Sequence, residues 1–511
     1  MSSKTEETPC IHFLIVPLMA QGHSIPMLDL ARLLAGAGPL VTYVTTPVNA
    51  ARIRPIIDST VFSGLSIRFP ELRFPATDVG LPDGCENIDL VPSFDLYIPF
   101  MKALSLFQNS LKDFLRDDAA AGSPPPSCII SDNFLAWTTP LASSLGVPRL
   151  AFHGTSCFFL ACTLLLQQHR TEIEGAVTEK ESFAIPGLPQ AIHVTKSQVS
   201  WGSNYSDPEW LILLEEAQAA ERGSAGVVVN SFEELEPWYF ETYRNLSGKE
   251  VWPFGPVSLH KENVETKAAR GKASAVDKEH VLEWLNGQAS GSVLLVSFGS
   301  VSSKSFRQIV ELGSGLEAAG WPFIWVVKEA AADSGWPEVE EWVAEFERKV
   351  GERGLVIKGW APQAMILSHA AVGGFMTHCG WNSTLEAIAV GVPMATWPHF
   401  ADQFLNEKLV VEVLKVGVEI GVEEPTVAFA MEKGSEEVKV GREMVEKAVV
   451  RLMDDGEERK ERRARARQLG RLAAAAMAEG GSSSENLNNI ISYISENDKR
   501  KKLKNLEIQK I

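Results

Sequence analysis

Six consecutive residues, His378, Cys379, Gly380, Trp381, Asn382 and Ser383, set an imidazole, an indole, an amide and a hydroxyl side by side, and Glu386 follows three positions after the serine. They come after the apolar run "VGGFMTH" (372–378) and open a helical pattern near Gly380, so Asn382 and Ser383 fall in a first helical turn. A helix start presents free backbone N–H groups and a partial positive charge, which together suit a phosphate. His378 and the Ser383 hydroxyl add donors. Glu386 lies on the same helix face. A carboxylate repels phosphate, but it accepts hydrogen bonds from a ribose diol, as in dinucleotide sites. On its own, an ordinary capped helix with Trp381 in the core accounts for the six residues equally well.

Two flanking segments add chemistry. In "GWAPQ", Trp360 offers a flat face for stacking a base, and Pro362 holds a turn after a strand. In "TWPHFADQFLN", Asp402 and Gln403 end a short loop and suit sugar hydroxyls. In the first half, His23 stands between the run "IHFLIVP" (11–17) and a helical pattern that begins near Ile25. Asp132 directly follows "SCIIS" (127–131). A positioned imidazole can take a proton from an attacking hydroxyl, and a carboxylate on its far nitrogen fixes the tautomer. By residue type alone, a histidine such as His23 is far more often structural than catalytic, and an aspartate such as Asp132 is most often a helix cap.

These residues need elements to hold them. Short strand-like runs alternate with helical patterns at 11–17, 40–46, 65–69, 127–131, 149–153 and 226–231. The alternation restarts at 292–300, 322–327, 355–360, 372–378 and 393–398. Apolar strands alternating with helices predict parallel sheets covered on both faces, in two doubly wound domains whose strand ends share a cleft. The expected boundaries are an N-terminal domain over 1–258, a polar linker over 259–278 and a C-terminal domain over 279–480. A last helix over 481–498, beyond the break at "GGSSS", is expected to cross back to the first domain, and a basic tail occupies 499–511.

The 511 residues suffice for two full cores, and a formal net charge of −17 disfavours nucleic acid and anionic membrane as partners. The six cysteines form no CxxC pair, and no stretch reads as a signal peptide or an uninterrupted membrane span. A cytoplasmic monomer is the expectation. No HExxH or Cys/His cluster suggests a metal.

From Trp360 to Gln403 the chain opens W-A-P-Q, carries H-C-G-W-N-S and closes D-Q, and in this it resembles the signature box of plant family-1 UDP-dependent glycosyltransferases. "VPLMAQGHSIPMLDLARLLA", "DVGLPDGCENID", "CIISDNFLAWT", "AFHGTS" and "LLVSFGS" extend the resemblance over nearly the whole chain, most closely to the flavonoid- and terpenoid-modifying branches. The resemblance implies the GT-B fold, two Rossmann-like domains facing a central cleft. It implies that Trp360 stacks on uracil, that the Ala361 backbone bonds the base edge, and that Gln363 and Glu386 hold the ribose. His378, Asn382, Ser383 and Ser300 would hold the diphosphate; Trp381, Asp402 and Gln403 would hold the sugar, the final Gln being associated with glucose. His23 and Asp132 match the family's catalytic pair.

The implied reaction is a single inverting displacement, with UDP-glucose as co-substrate and no metal or other cofactor. The acceptor is a small hydrophobic molecule such as a flavonoid, terpenoid, steroid or phenolic. Phe134, Trp137, Thr155 and His399 are candidates for its pocket, with the segments 84–100, 153–159 and 199–205. Ala387, Ala389 and His399 depart from the common pattern of the box. Competing readings are another UDP-sugar (galactose, xylose or glucuronic acid), a silent nucleotide-sugar sensor, and a nicotinamide oxidoreductase. The last is disfavoured because "LMAQGHS", not GxGxxG, follows the first strand.

Overall fold

The computed structural model describes residues 11–199, 208–259, 276–299, 305–327, 337–426 and 438–508. Its first half contains strands β1 (His12–Val16), β2 (Leu40–Tyr43), β3 (Ile67–Arg68), β4 (Cys128–Asp132), β5 (Arg149–His153), β6 (Phe183–Ala184), β7 (His193–Val194), β8 (Gly226–Val229) and β9 (Val251–Pro253). Its second half contains β10 (Val293–Ser297), β11 (Phe323–Val327), β12 (Gly354–Lys358), β13 (Val372–Thr377), β14 (Met394–Thr396) and β15 (Gly417–Glu419). "HFLIV" and "VLLVS" are buried along their whole length, as strands covered by helices on both faces must be.

Two parallel sheets result, ordered β3-β2-β1-β4-β5-β8-β9 and β12-β11-β10-β13-β14-β15, while β6 and β7 pair as a small antiparallel ribbon. In each large sheet the chain builds outward in one direction and then returns to the other side of its first strand. The reversal lies between β1 and β4 in one sheet and between β10 and β13 in the other. The registers Val16 to Ser131 and Ser297 to Thr377 bring the carboxyl ends of each central pair level. Ligand crevices in open parallel sheets form at such reversals.

The expectation of two doubly wound parallel sheets holds. The three-residue edge strands β9 and β15 and the β6–β7 ribbon were not foreseen. Most of the proposed linker lies outside the described residues.

The halves are packed together. One cluster of buried apolar side chains includes Phe158, Val229 and Tyr239 from the first half with Val293, Phe375 and Trp381 from the second. The helix Glu457–Met477 stops before Gly480, whose φ is +76°, and Gly481, where a Cβ would meet the Ala475 carbonyl at 2.1 Å. The final helix, Ser482–Ile508, then lies on the first sheet. Asn486 donates to the Pro253 carbonyl at 2.9 Å, Tyr493 packs on Trp252, and Ile490 and Ile494 are wholly buried among Phe13, Trp252 and Phe254. No described helix is long and apolar enough to cross a membrane.

Candidate active site

At the end of β4, Asp132 has no solvent exposure, and its Oδ2 lies 2.6 Å from His23 Nδ1. Its Oδ1 accepts from the Phe134 N–H at 3.1 Å. The helix after β1 begins at Gln21, earlier than expected. His23 therefore sits in a first helical turn rather than in a loop, and Asp132 closes its strand rather than following it. The His23 side chain keeps 28% of its surface exposed. Burial lowers its pKa, but the charge and hydrogen bond of Asp132 and the charge of Asp402 outweigh burial and raise it above the ordinary value. Asp402 belongs to the second half, so this coupling crosses the cleft. Burial pushes Asp402 up to about 6, against the opposing effects of the Asn406 amide, a backbone bond and the His23 charge.

The second sheet supplies the other wall. Gly380 caps the helix Trp381–Val390 directly after β13. His378 is wedged between two glycines: a Cβ on Gly299 would lie 2.7 Å from its ring, and one on Gly380 only 2.4 Å from Nε2. Gln363, at the start of the helix Gln363–Leu367, donates from one amide nitrogen to Ser383 Oγ at 3.0 Å and to Glu386 Oε2 at 2.9 Å. Three residues separated in sequence thus meet as one polar cluster. Trp360 is half-buried beside it in sequence, its indole N–H enclosed without a partner, and Ala361 is buried. Ser300 lies outside the described residues.

Several assignments change in detail. Trp381 is 3% exposed, and its indole N–H donates to the Asn230 carbonyl at 2.7 Å. Its indole is therefore a tie to the first half, and its burial is what the capped-helix reading expected. Asn382 donates to the Gly22 carbonyl at 2.5 Å and accepts from Asn230 at 3.4 Å, so its side chain bridges the halves. Gln403 is 4% exposed, and its Oε1 accepts the backbone N–H groups of His399 and Phe400 at 2.8 and 3.2 Å, which engages that oxygen in its own loop. Asp402 accepts from Asn406 at 2.7 Å. His399 is 6% exposed and packs its ring with Phe298 and Trp397 in an aromatic cluster at the end of β14.

On the acceptor side, Phe134 meets His23 edge-on at 6.2 Å and stacks on Trp210 at 6.1 Å, and Trp210 meets Tyr97 at 5.5 Å. Trp210 and the pairing with Tyr97 escaped sequence reasoning. Trp210 lies in the helix Pro208–Arg222, where one more aromatic residue carries no spacing signal. Trp137 is half-buried against the core of the first half. Thr155 is half-buried, with its hydroxyl enclosed and without a partner. The segment 153–159 is tied down: His153 to Glu221, and the Cys157 and Phe158 N–H groups to Glu236. In the 84–100 segment, Asn87 is wholly buried on Asn49, and Asp89 takes Gln21 and Arg52. Residues 200–205 lie outside the described set. Among the described residues no group of three or more His, Cys, Asp and Glu converges as a metal site.

An imidazole held by a carboxylate at the edge of one sheet thus stands across from a helix start on the other, which also carries a Gln–Ser–Glu cluster. The family model "UDP-glucoronosyl and UDP-glucosyl transferase" matches residues 251–430. UDP-glycosyltransferase 73E1 of Stevia rebaudiana is 45% identical over 500 residues, covering 97% of this chain and 99% of its own. The crystal structure of Glycyrrhiza uralensis UGT73P12 complexed with glycyrrhetinic acid 3-O-monoglucuronide superposes with a TM-score of 0.88 at 35% identity, covering 98% of this chain and 99% of that one. Phytolacca americana UGT2, complexed with UDP-2fluoro-glucose and pterostilbene, superposes with a TM-score of 0.71 at 28% identity, covering 95% and 100%. Sequence over nearly the whole length and fold agree, and the chain belongs to the plant family-1 UDP-glycosyltransferases.

Proposed function

We propose that this protein transfers glucose from UDP-glucose to a hydroxyl of a small hydrophobic acceptor, with inversion at the anomeric carbon. The observation that carries the reading is the 2.6 Å contact between His23 Nδ1 and the fully buried Asp132. With Nδ1 engaged, Nε2 is the nitrogen left to take the acceptor's proton. The acceptor oxygen forms its bond to the anomeric carbon as the bond to the UDP oxygen breaks. The proton passes to His23, and the electron pair leaves with the diphosphate. Charge developing on that diphosphate is met by the backbone N–H groups opening the helix Trp381–Val390 and by His378. Gln363 and Glu386 supply the ribose contacts, and Asp402 faces the sugar. UDP-glucose enters as co-substrate, and no other cofactor has a step in this reading.

The aromatic line of Phe134, Trp210 and Tyr97 beside His23 favours a flat or fused-ring acceptor. The ligands of the two structural neighbours, a triterpenoid glucuronide and a stilbene, agree with that class. The test is product mass spectrometry with UDP-glucose, UDP-galactose, UDP-xylose and UDP-glucuronic acid against flavonoids, triterpenoids, steroids and phenols. UDP-glucose should give the fastest transfer, and His23→Ala should lower it by at least about 100-fold. An undiminished rate in His23→Ala would falsify the assignment of the base.

A further inference from the structure

Arg149 opens β5 behind the His23–Asp132 pair and is 3% exposed. Its Nε donates to Ser131 Oγ at 2.9 Å and Thr138 Oγ1 at 2.7 Å, its Nη1 to the Ala220 carbonyl at 3.1 Å, and its Nη2 to the backbone carbonyl of Asp132 at 3.2 Å. These acceptors are all neutral. A guanidinium keeps its charge in a protein, and taking it out of water costs several kcal/mol unless opposite charge stands close by. Here the opposite charge comes from Asp132 on β4 and from Glu221 on the helix Pro208–Arg222. Burial lowers the Arg149 pKa to about 10, and both carboxylates act to raise it.

The surroundings show which way each charge leans. Glu221 is already engaged by His153 Nε2 at 2.7 Å and the Tyr243 hydroxyl at 2.6 Å. Burial raises its pKa, but His153, Tyr243 and Arg149 together hold it down at about 2. Asp132, by contrast, has no exposure and has the His23 imidazole and the Phe134 N–H on its carboxylate. Across the cleft, Asp402 adds negative charge toward His23. Arg149 is thus a fixed cation on the protein side of the pair, opposite the two carboxylates that draw a proton to the imidazole.

We propose that Arg149 is a positioning residue that fixes the Asp132 backbone in place and, as a buried cation behind the pair, offsets the carboxylate charge that draws a proton to His23. The inference rests on His23 being the base of the transfer. Without the cation, nothing on the protein side offsets the carboxylates that draw a proton to His23, and the imidazole must shed that proton before it can accept another from the acceptor. Arg149 would then keep the base free near neutral pH without touching either substrate.

The test is a titration of the full-length protein carrying 13C-labelled histidine, followed by NMR. The His23 signal is identified by its loss in His23→Ala. Arg149→Met should raise the His23 midpoint by about one pH unit, a tenfold gain in proton affinity. Arg149→Lys, which keeps the charge, should return it to within a few tenths of a unit of wild type. A thermal melt and the dispersion of the other histidine signals report that each variant is folded. If Arg149→Met is not folded by these measures, Arg149→Gln replaces it with the same expectation. A folded, uncharged variant whose His23 midpoint equals the wild-type value overturns the proposal, whatever happens to its rate. The titration needs no turnover, so a wild-type protein that failed to transfer sugar would refute the proposed function and still leave this result readable.

Discussion

A carboxylate with no solvent contact earns its place only through its partners, and Asp132 has two of them on its oxygens. Asp132→Asn keeps the shape but offers an amide where a carboxylate accepted. His23 then loses both the tautomer and the charge that raise its pKa. Sugar transfer in Asp132→Asn should fall by about 100- to 10,000-fold. In wild type, a raised His23 pKa means that the imidazole is protonated, and unable to act as base, below a value above the ordinary one. Rate should therefore decline as pH falls through that raised value, and the decline should move to lower pH in the variant. A kcat/KM profile over pH measures both effects. His23 and Asp132 were legible because each sits at a strand end beside a recognisable segment. Arg149 was not, since one arginine in "VPRLAFH" reads as a solvated charge until the fold shows it enclosed.

The helix Trp381–Val390 shows what an element adds. Its cap, Gly380, has φ −58° and ψ 137°, a backbone open to any residue, so glycine is there for space and not for conformation. A Cβ at that position would drive His378 out of line. Gly380→Ala should weaken UDP binding by at least about tenfold, roughly the worth of one charge-assisted contact. Thermal stability should change little. Calorimetry and a melting curve separate the two. The helix start after β13 was readable from the strand-then-turn pattern. The use of Trp381 and Asn382 as ties to Asn230 and Gly22 was not, because those partners come from the other half of the chain.

Across the whole molecule, long apolar strands announced themselves, and the edge strands β9 and β15 did not. β9 and β15 have three residues each, too few for a pattern, and they exist because a neighbouring strand offers a ladder. The last helix matters as much to the first half as any of its own elements. Ile494 is wholly buried against that half's core. Ile494→Ala should cost about 2–5 kcal/mol and lower the urea midpoint, while the folded variant keeps its UDP affinity.

Chain order and three-dimensional membership disagree at the carboxyl end. The first half is completed by the helix Ser482–Ile508, which follows the whole second half in the chain. A hybrid enzyme joined once, between residues 259 and 278, would fit a foreign helix to the native β9 and its neighbours. Recombining halves of two such enzymes calls for a second junction, at Gly480–Gly481, where the backbone already turns.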